Sequence, residues 1–386
     1  MTISKIKSED KKIGIIAPFK DYNYGTVLQA YALYFHFKKL GINAEYIDYM
    51  ALDGSESILE KGLLCIRHPS ILFRKLFKKQ AANPIVTFFS TDTFKAIKEG
   101  YDSFIACIPS SKRTTYRTLK QLESNYASFC VGSDQTWSPY VVDILSINLL
   151  PFVKDKRKKN SYAPSIGTTL ISKDYKKKLK KNLSDFNVIS CRDFYGSRIL
   201  SDILGRVVYN VLDPTLLMTK EEWQPLMESI KSPDKYVLCY QLGIKDSLLR
   251  FARKIKNEKG LNLVIIPTNE YTSAQPESLS SVSPGQFLYL VKNACYVVTD
   301  SFHGTIFSIN FGVQFFSFAK VEGDLNSFDN SRIAELLDSF GMKDRFMEGL
   351  PNECMPADLD YLSITDELKM RRERSQCIIN KIAETV

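Results

Sequence analysis

Short apolar runs alternate along this chain with polar loops and with segments whose apolar residues recur every three or four positions, the pattern of strands and helices in turn. The run KIGIIAPF (12–19) predicts a buried strand. The polar loop KDYNYG (20–25) follows, and then 26–40, where Val27, Leu28, Tyr31, Leu33, Tyr34, Phe37 and Leu40 fall at helical spacing with Gly41 as a stop. A second strand is predicted at 43–49. Further strand patterns lie at 127–133, 160–167, 186–193 and 207–214, with helices predicted at 172–183 and 194–204. The second half repeats the rhythm: strands at 236–242, 261–267, 295–300 and 313–318, helices at 246–258, 284–293 and 303–311, and a charged helix at 360–384.

The strand runs are near-continuously apolar, as strands buried on both faces of parallel sheets are. The expected fold class is therefore α/β, with two doubly wound, Rossmann-like domains facing across a cleft at the carboxyl ends of their strands. A chain of 386 residues suits two cores. The Pro-containing link KSPDK (231–235) puts the boundary within 215–234, which divides the chain into 1–225 and 226–386.

Composition narrows the classes little. A formal charge of +9 suits an acidic ligand or an anionic membrane surface without requiring nucleic acid. The lysine runs at 154–159 and 176–181 lack the interleaved aromatics of a single-strand-binding groove and read as solvated faces. Eight scattered cysteines form no CxxC pair, and four of them sit in strand-like runs, which points to free thiols in a reducing compartment. The polar start MTISKIKSEDKK has no signal-peptide core, and no apolar run reaches the roughly 18 residues of a membrane span. The expectation is a cytoplasmic protein. With no HExxH, no CxxC pair, no clustered histidines and no GxSxG, neither a metal nor a serine nucleophile is expected.

Four loops follow predicted strands and carry the candidate chemistry. In the first, Asn23, Gly25 and Thr26 open a helix whose early amides suit an anion or a sugar hydroxyl, or merely form a capped start. In the second, GSDQTWSP (132–139), Asp134 and Gln135 suit sugar hydroxyls and Trp137 suits stacking on a sugar face; an Asx-type turn with Trp137 in the core is the other reading. In the third, Arg192 ends an apolar strand, where it either pairs with Asp193 or grips an anion, with Asp213 nearby in LDPTLL. In the fourth, His303 opens a helix just after Asp300 and Ser301, with Gly304 permitting close approach. The helix dipole there favours neutral imidazole and the carboxylate favours its cation, which suits an acid or base. The other two histidines, His36 in the first helix and His68 in an amphipathic segment, have no such setting.

Together these loops resemble the polysaccharide pyruvyl transferase family: NYGTVLQAYAL (23–33), VGSDQTW (131–137), SCRD (190–193), LDPTLL (212–217) with EEW (221–223), TDSFHGTIFSI (299–309), and SRIAELLDSFGMKDR (331–345). The set runs in family order over nearly the whole chain. The resemblance implies a fold similar to the glycosyltransferase-B architecture, and transfer of a pyruvyl group from phosphoenolpyruvate to a sugar of a cell-surface or capsular glycan as a cyclic ketal, with no other cofactor. It implies a catalytic set of His303 as proton-handling group, Arg192 as anion clamp and Asp300 beside them. The donor would be held by Arg192, Ser301, Gly304, Thr305 and Arg332 in the C-terminal domain. The acceptor would be held by Asn23, Gly25, Thr26, Asp134, Gln135 and Trp137 in the N-terminal one. Members often carry arginine two residues before the histidine; here that residue is Ser301, as in an S-F-H-G variant subgroup, and Arg332 is the candidate to supply the missing charge.

The implied partner is a sugar or lipid-linked oligosaccharide. The basic amphipathic segment 61–80, with Leu63, Leu64, Ile71, Leu72, Phe73, Leu76 and Phe77, either packs on the N-terminal domain or rests peripherally on the inner membrane surface. Two other functions stay open. A nucleotide-sugar glycosyltransferase is one, although no pair of glutamates at ribose-binding spacing follows the histidine loop. A non-catalytic glycan-binding protein is the other.

Overall fold

The computed structural model of the chain describes residues 12–50, 91–142, 146–320, 328–349 and 355–386. The amphipathic segment 61–80 lies outside them. Four parallel strands in the order β2-β1-β3-β4 form the first sheet: β1 (Lys12–Ile16), β2 (Asn43–Tyr46), β3 (Ser128–Val131) and β4 (Lys159–Ser161). A bridge from Asn160 to Val188 carries this sheet toward a short parallel pair, β5 (Ser190–Cys191) and β6 (Tyr209–Asn210). Helices α1 (Tyr24–Lys39), α2 (Thr91–Ile105), α3 (Lys173–Leu183) and α4 (Phe194–Leu204) belong to this half. A one-turn helix, α5 (Pro214–Leu217), ends it.

The second sheet is also wholly parallel. Its order is β11-β10-β9-β7-β8, built from β7 (Tyr236–Tyr240), β8 (Asn262–Ile265), β9 (Tyr296–Thr299), β10 (Gln314–Phe318) and β11 (Phe346–Met347). Around it run α6 (Asp246–Lys259), α7 (Pro284–Asn293), α8 (Phe302–Phe311), α9 (Phe328–Ser339) and α10 (Tyr361–Ala383). Two parallel α/β halves thus stand as the apolar runs predict. Strands β3, β7 and β9 are buried at every position, which explains why their sequences show no alternation.

The halves share a core. Tyr24, in the first turn of α1, stacks on Phe287 of α7 with ring centroids 4.5 Å apart and donates its hydroxyl to Val282 O at 2.9 Å. Tyr101 of α2 stacks on Tyr24, and Gly100 lies so close to Ser283 that a Cβ would sit 2.9 Å from that residue's own. Helix α2 is not among the predicted elements, although Ile97, Tyr101 and Phe104 repeat at helical spacing and all are buried. Helix α10 starts beside β10 and then returns to the first half. There Ser375 accepts from Leu212 N at 3.0 Å, and Ile378, Ile379 and Ile382 pack with Ile13 and Ile15 of β1.

Candidate functional site

Two helix starts meet where the halves face each other. Asn23 caps α1, its Oδ1 accepting from Thr26 N at 3.2 Å, and Ser301 caps α8, its Oγ accepting from Gly304 N at 3.3 Å. Between them the His303 ring is packed close against Gly25 in the first turn of α1. A Cβ on Gly25 would fall 2.0 Å from His303 Nδ1, so only glycine admits the imidazole. A cavity of about 150 Å³ opens here. Its walls include Asn23, Thr26, Asp134, Gln135, His303 and Arg332, with Asp300, Ser301 and Lys320 also exposed to it.

Behind His303 is a buried ionic cluster centred on Asp213. Its Oδ2 accepts from Arg192 Nη1 at 2.7 Å and Ser133 Oγ at 2.9 Å, while Oδ1 accepts from Thr215 N at 2.9 Å and Thr215 Oγ1 at 2.6 Å. His303 Nε2 is 3.8 Å from the same Oδ2. Burial alone would push the Asp213 carboxyl up, but Arg192, His303 and the Thr215 bonds outweigh it and hold it at about 2. For His303 the balance falls the other way: burial lowers its pKa, and Arg192 and Arg332 add to that against Asp213 and Asp134. At neutral pH the imidazole is therefore uncharged, able to accept a proton next to a carboxylate.

Arg192 is 8% exposed and lies 4.3 Å above the Phe302 ring. It pairs with two carboxylates. Asp213 is the hydrogen-bonded one, while Asp193 stands 3.8 Å from Arg192 Nε as a longer ion pair and accepts hydrogen bonds from Ser165 Oγ, Ile166 N and Gly167 N. Arg192 Nε and Nη2 and His303 Nε2 are buried without hydrogen-bond partners in the structure. Unmet buried donors on a cation are costly, and a bound anion would satisfy them. Arg332 lies 5.5 Å from the same Phe302 ring, and with the Gln135 amide oxygen turned toward it both Nη atoms donate to that oxygen at 2.9 Å.

Not every predicted residue reaches the cavity. Trp137 is wholly buried, packs edge-on to Phe186, and donates its indole N–H to Asn148 O at 3.0 Å, so it has no open face for a sugar. Gly304 packs under Thr299, where a Cβ would meet Oγ1 at 2.6 Å, and Thr305 Oγ1 bonds Ser301 O and Ser317 Oγ. Asp300 does not touch His303 through any hydrogen bond. Its two oxygens accept from Leu242 N at 2.6 Å and Gly243 N at 2.8 Å, tying the loop after β7, and burial holds its carboxyl above the usual range. Asp134 sits at φ 72°, a left-handed conformation that asparagine and aspartate tolerate best, and its Oδ1 accepts from Gln135 N at 2.9 Å. It forms a local turn and lines the cavity at once.

The fold and site define a class: two parallel-sheet α/β halves whose strand-end loops bring a buried arginine, carboxylate and histidine to the junction. The family model for polysaccharide pyruvyl transferase matches residues 23–319, and the chain belongs to that family. The match takes in the candidate residues of all four loops, from Asn23 onward; Arg332 lies beyond it. No curated protein matches the chain closely enough to serve as a relative. Among solved structures, UDP-GlcNAc 2-epimerase from Methanocaldococcus jannaschii is similar over 93% of this chain and 99% of its own, at 9% identity and a TM-score of 0.47. Arabidopsis thaliana UGT89C1 complexed with UDP-L-rhamnose is similar over 97% and 99%, at 9% identity and a TM-score of 0.46. The wall teichoic acid polymerase TagF is similar over 95% and 91%, at 11% identity and a TM-score of 0.40. Likeness at this distance carries nothing about what the chain binds. Among the described residues no group of three or more His, Cys, Asp or Glu is placed to hold a metal, and no helix is long and apolar enough to cross a membrane.

Proposed function

We propose that the protein transfers the pyruvyl group of phosphoenolpyruvate to two hydroxyls of one sugar in a cell-surface or capsular glycan, forming a ketal and releasing phosphate. The observation that carries this is the buried Arg192 with two unpartnered nitrogens beside a neutral histidine. The donor bears a carboxylate and a phosphate, and a guanidinium fork binds either in two-pronged fashion. Arg332, whose guanidinium is also close to the Phe302 ring, supplies the second cation. This answers the presence of Ser301 in place of an arginine, since Ser301 is occupied as the cap of α8.

In this reading a proton adds to the methylene carbon of the donor and its C2 becomes oxocarbenium-like. A sugar hydroxyl attacks C2 and gives its proton to His303, which the Asp213 carboxylate then stabilises as a cation. Phosphate departs and the second hydroxyl closes the ring. Asn23, Thr26, Asp134 and Gln135 offer oxygens and amides to the sugar at the cavity wall. We place the reaction in the cytoplasm, on a free or lipid-linked acceptor.

The test is incubation with phosphoenolpyruvate and a panel of methyl hexopyranosides with free 4- and 6-hydroxyls. Ketal should appear by mass spectrometry with one phosphate released per ketal, and His303→Ala should lower turnover by about 10²–10⁴-fold without unfolding the protein. Consumption of a nucleotide sugar, with phosphoenolpyruvate untouched, would replace this reading with glycosyl transfer.

A further inference from the structure

A second cavity of about 430 Å³ shares Phe302 and Arg332 with the smaller one and is also lined by Arg192 and Glu335. Glu335 lies on α9 one turn after Arg332, so the two present to the same side of the helix. Its Oε1 accepts from Tyr195 N at 3.0 Å, in the first turn of α4. A carboxyl from the second half of the chain is thereby planted at a helix start of the first half, two to three residues along from Arg192.

From this placement we infer that Glu335 is the acid that protonates the methylene carbon of the donor, complementary to His303 as the base. The inference rests on the pyruvyl-transfer reading. A donor anchored on the open edge of Arg192 and on Arg332 lies in the cavity that Glu335 lines. The charged groups around Glu335 are Arg192 and Asp193 before α4, Arg332 and Asp338 on its own helix, and Glu367, Arg371 and Arg374 across the cavity on α10. Burial and the neighbouring Asp193 outweigh the helix amides and Arg192 and raise the Glu335 carboxyl to about 7. His303, in the adjoining cavity across Phe302 and Arg332, moves the opposite way, and titrating groups whose surroundings push them apart divide naturally into acid and base.

The step balances. The enol π electrons take the Glu335 proton to form the methyl group, leaving C2 electron-poor. The first hydroxyl oxygen bonds C2 and its proton goes to His303. The C2–O bond to phosphate breaks with its electron pair leaving on phosphate, which receives the His303 proton. The second hydroxyl oxygen bonds C2 and returns a proton to Glu335.

Glu335→Gln and Glu335→Asp separate this from a structural role, because the glutamine amide oxygen still accepts from Tyr195 N. Donor binding is read by calorimetry with phosphoenolpyruvate, and turnover by phosphate release from phosphoenolpyruvate with the hexopyranoside panel between about pH 5.5 and 9. Glu335→Gln should bind the donor within about threefold of the unmutated protein, melt at the same temperature, lose turnover by about 10²-fold or more, and lose the decline above about pH 7. Glu335→Asp should recover part of the rate and keep a decline. Turnover within about threefold, or an unchanged alkaline decline in Glu335→Gln, overturns the acid assignment while leaving the donor standing. An unmutated protein that leaves phosphoenolpyruvate unbound or unchanged overturns the donor and this acid together.

Discussion

Asp213 and Asp300 occupy matching places in the two halves. Each follows a strand, each is almost wholly buried, and each precedes a helix of the junction. Their surroundings give them opposite characters. Asp213 faces a guanidinium, an imidazole and a threonine, and its carboxyl is held at about 2. Asp300 faces two backbone amides of a loop, and burial prevails, raising its carboxyl. Position after a strand marks a residue as a candidate for the junction. The charges that tertiary packing brings to it decide whether it organises chemistry or holds a loop.

That contrast yields a sign test of large size. The Asp213 carboxyl is depressed in the fold, so its contribution is present above its ordinary value near 3.9 and fades as pH falls through about 2. Asp300 is raised, so its contribution is complete below about 3.9 and declines as pH rises through its elevated value. Relative to the unmutated protein, Asp213→Asn should therefore lose stability as pH rises, by about 3–5 kcal/mol at neutrality because buried Arg192 loses its hydrogen-bonded carboxylate. Asp300→Asn should gain relative stability over the same rise, with an overall change of about 1–2 kcal/mol or less. Thermal melts across pH measure both slopes, and slopes of the same sign would erase the distinction.

Gly25→Ala sharpens the comparison from the Asp213 side. A methyl 2.0 Å from His303 Nδ1 must displace the ring, so turnover should drop by about 10²-fold with phosphoenolpyruvate binding nearly intact. Equal activity in glycine and alanine forms would detach His303 from the reaction. The smallest effect belongs to a residue outside both regions: Trp137→Phe should cost about 1 kcal/mol for the lost bond to Asn148, with glycan affinity unchanged in calorimetry.

Much of the fold is legible because both sheets are parallel. The strands β1, β3, β7, β9 and β10 read as apolar runs, unlike the polar β4 (KNS), and caps such as Asn23, Ser172, Ser283 and Ser301 mark the helix starts. Helix α2 is less legible because Gly100 and a charged exterior obscure the spacing of Ile97, Tyr101 and Phe104. The candidate loops could be found in the sequence, yet their internal wiring could not. Arg192 takes its hydrogen-bonded partner in Asp213, with the adjacent Asp193 only a longer ion pair, and Gly25 is shaped by a histidine 278 positions away in the chain. Such pairings are set by the docking of two halves. Glu335 shows the same limit: nothing near it in the sequence signals that its carboxylate will accept from Tyr195 N of α4.

The most direct measurement is calorimetric titration of phosphoenolpyruvate into the unmutated protein and into Arg192→Ala. The account predicts saturable binding with one donor per chain, weakened at least about 100-fold when the buried guanidinium is removed, the scale of a lost bidentate charge-assisted contact. Binding of equal strength in both proteins, or none in either at millimolar donor with and without glycan, would contradict it.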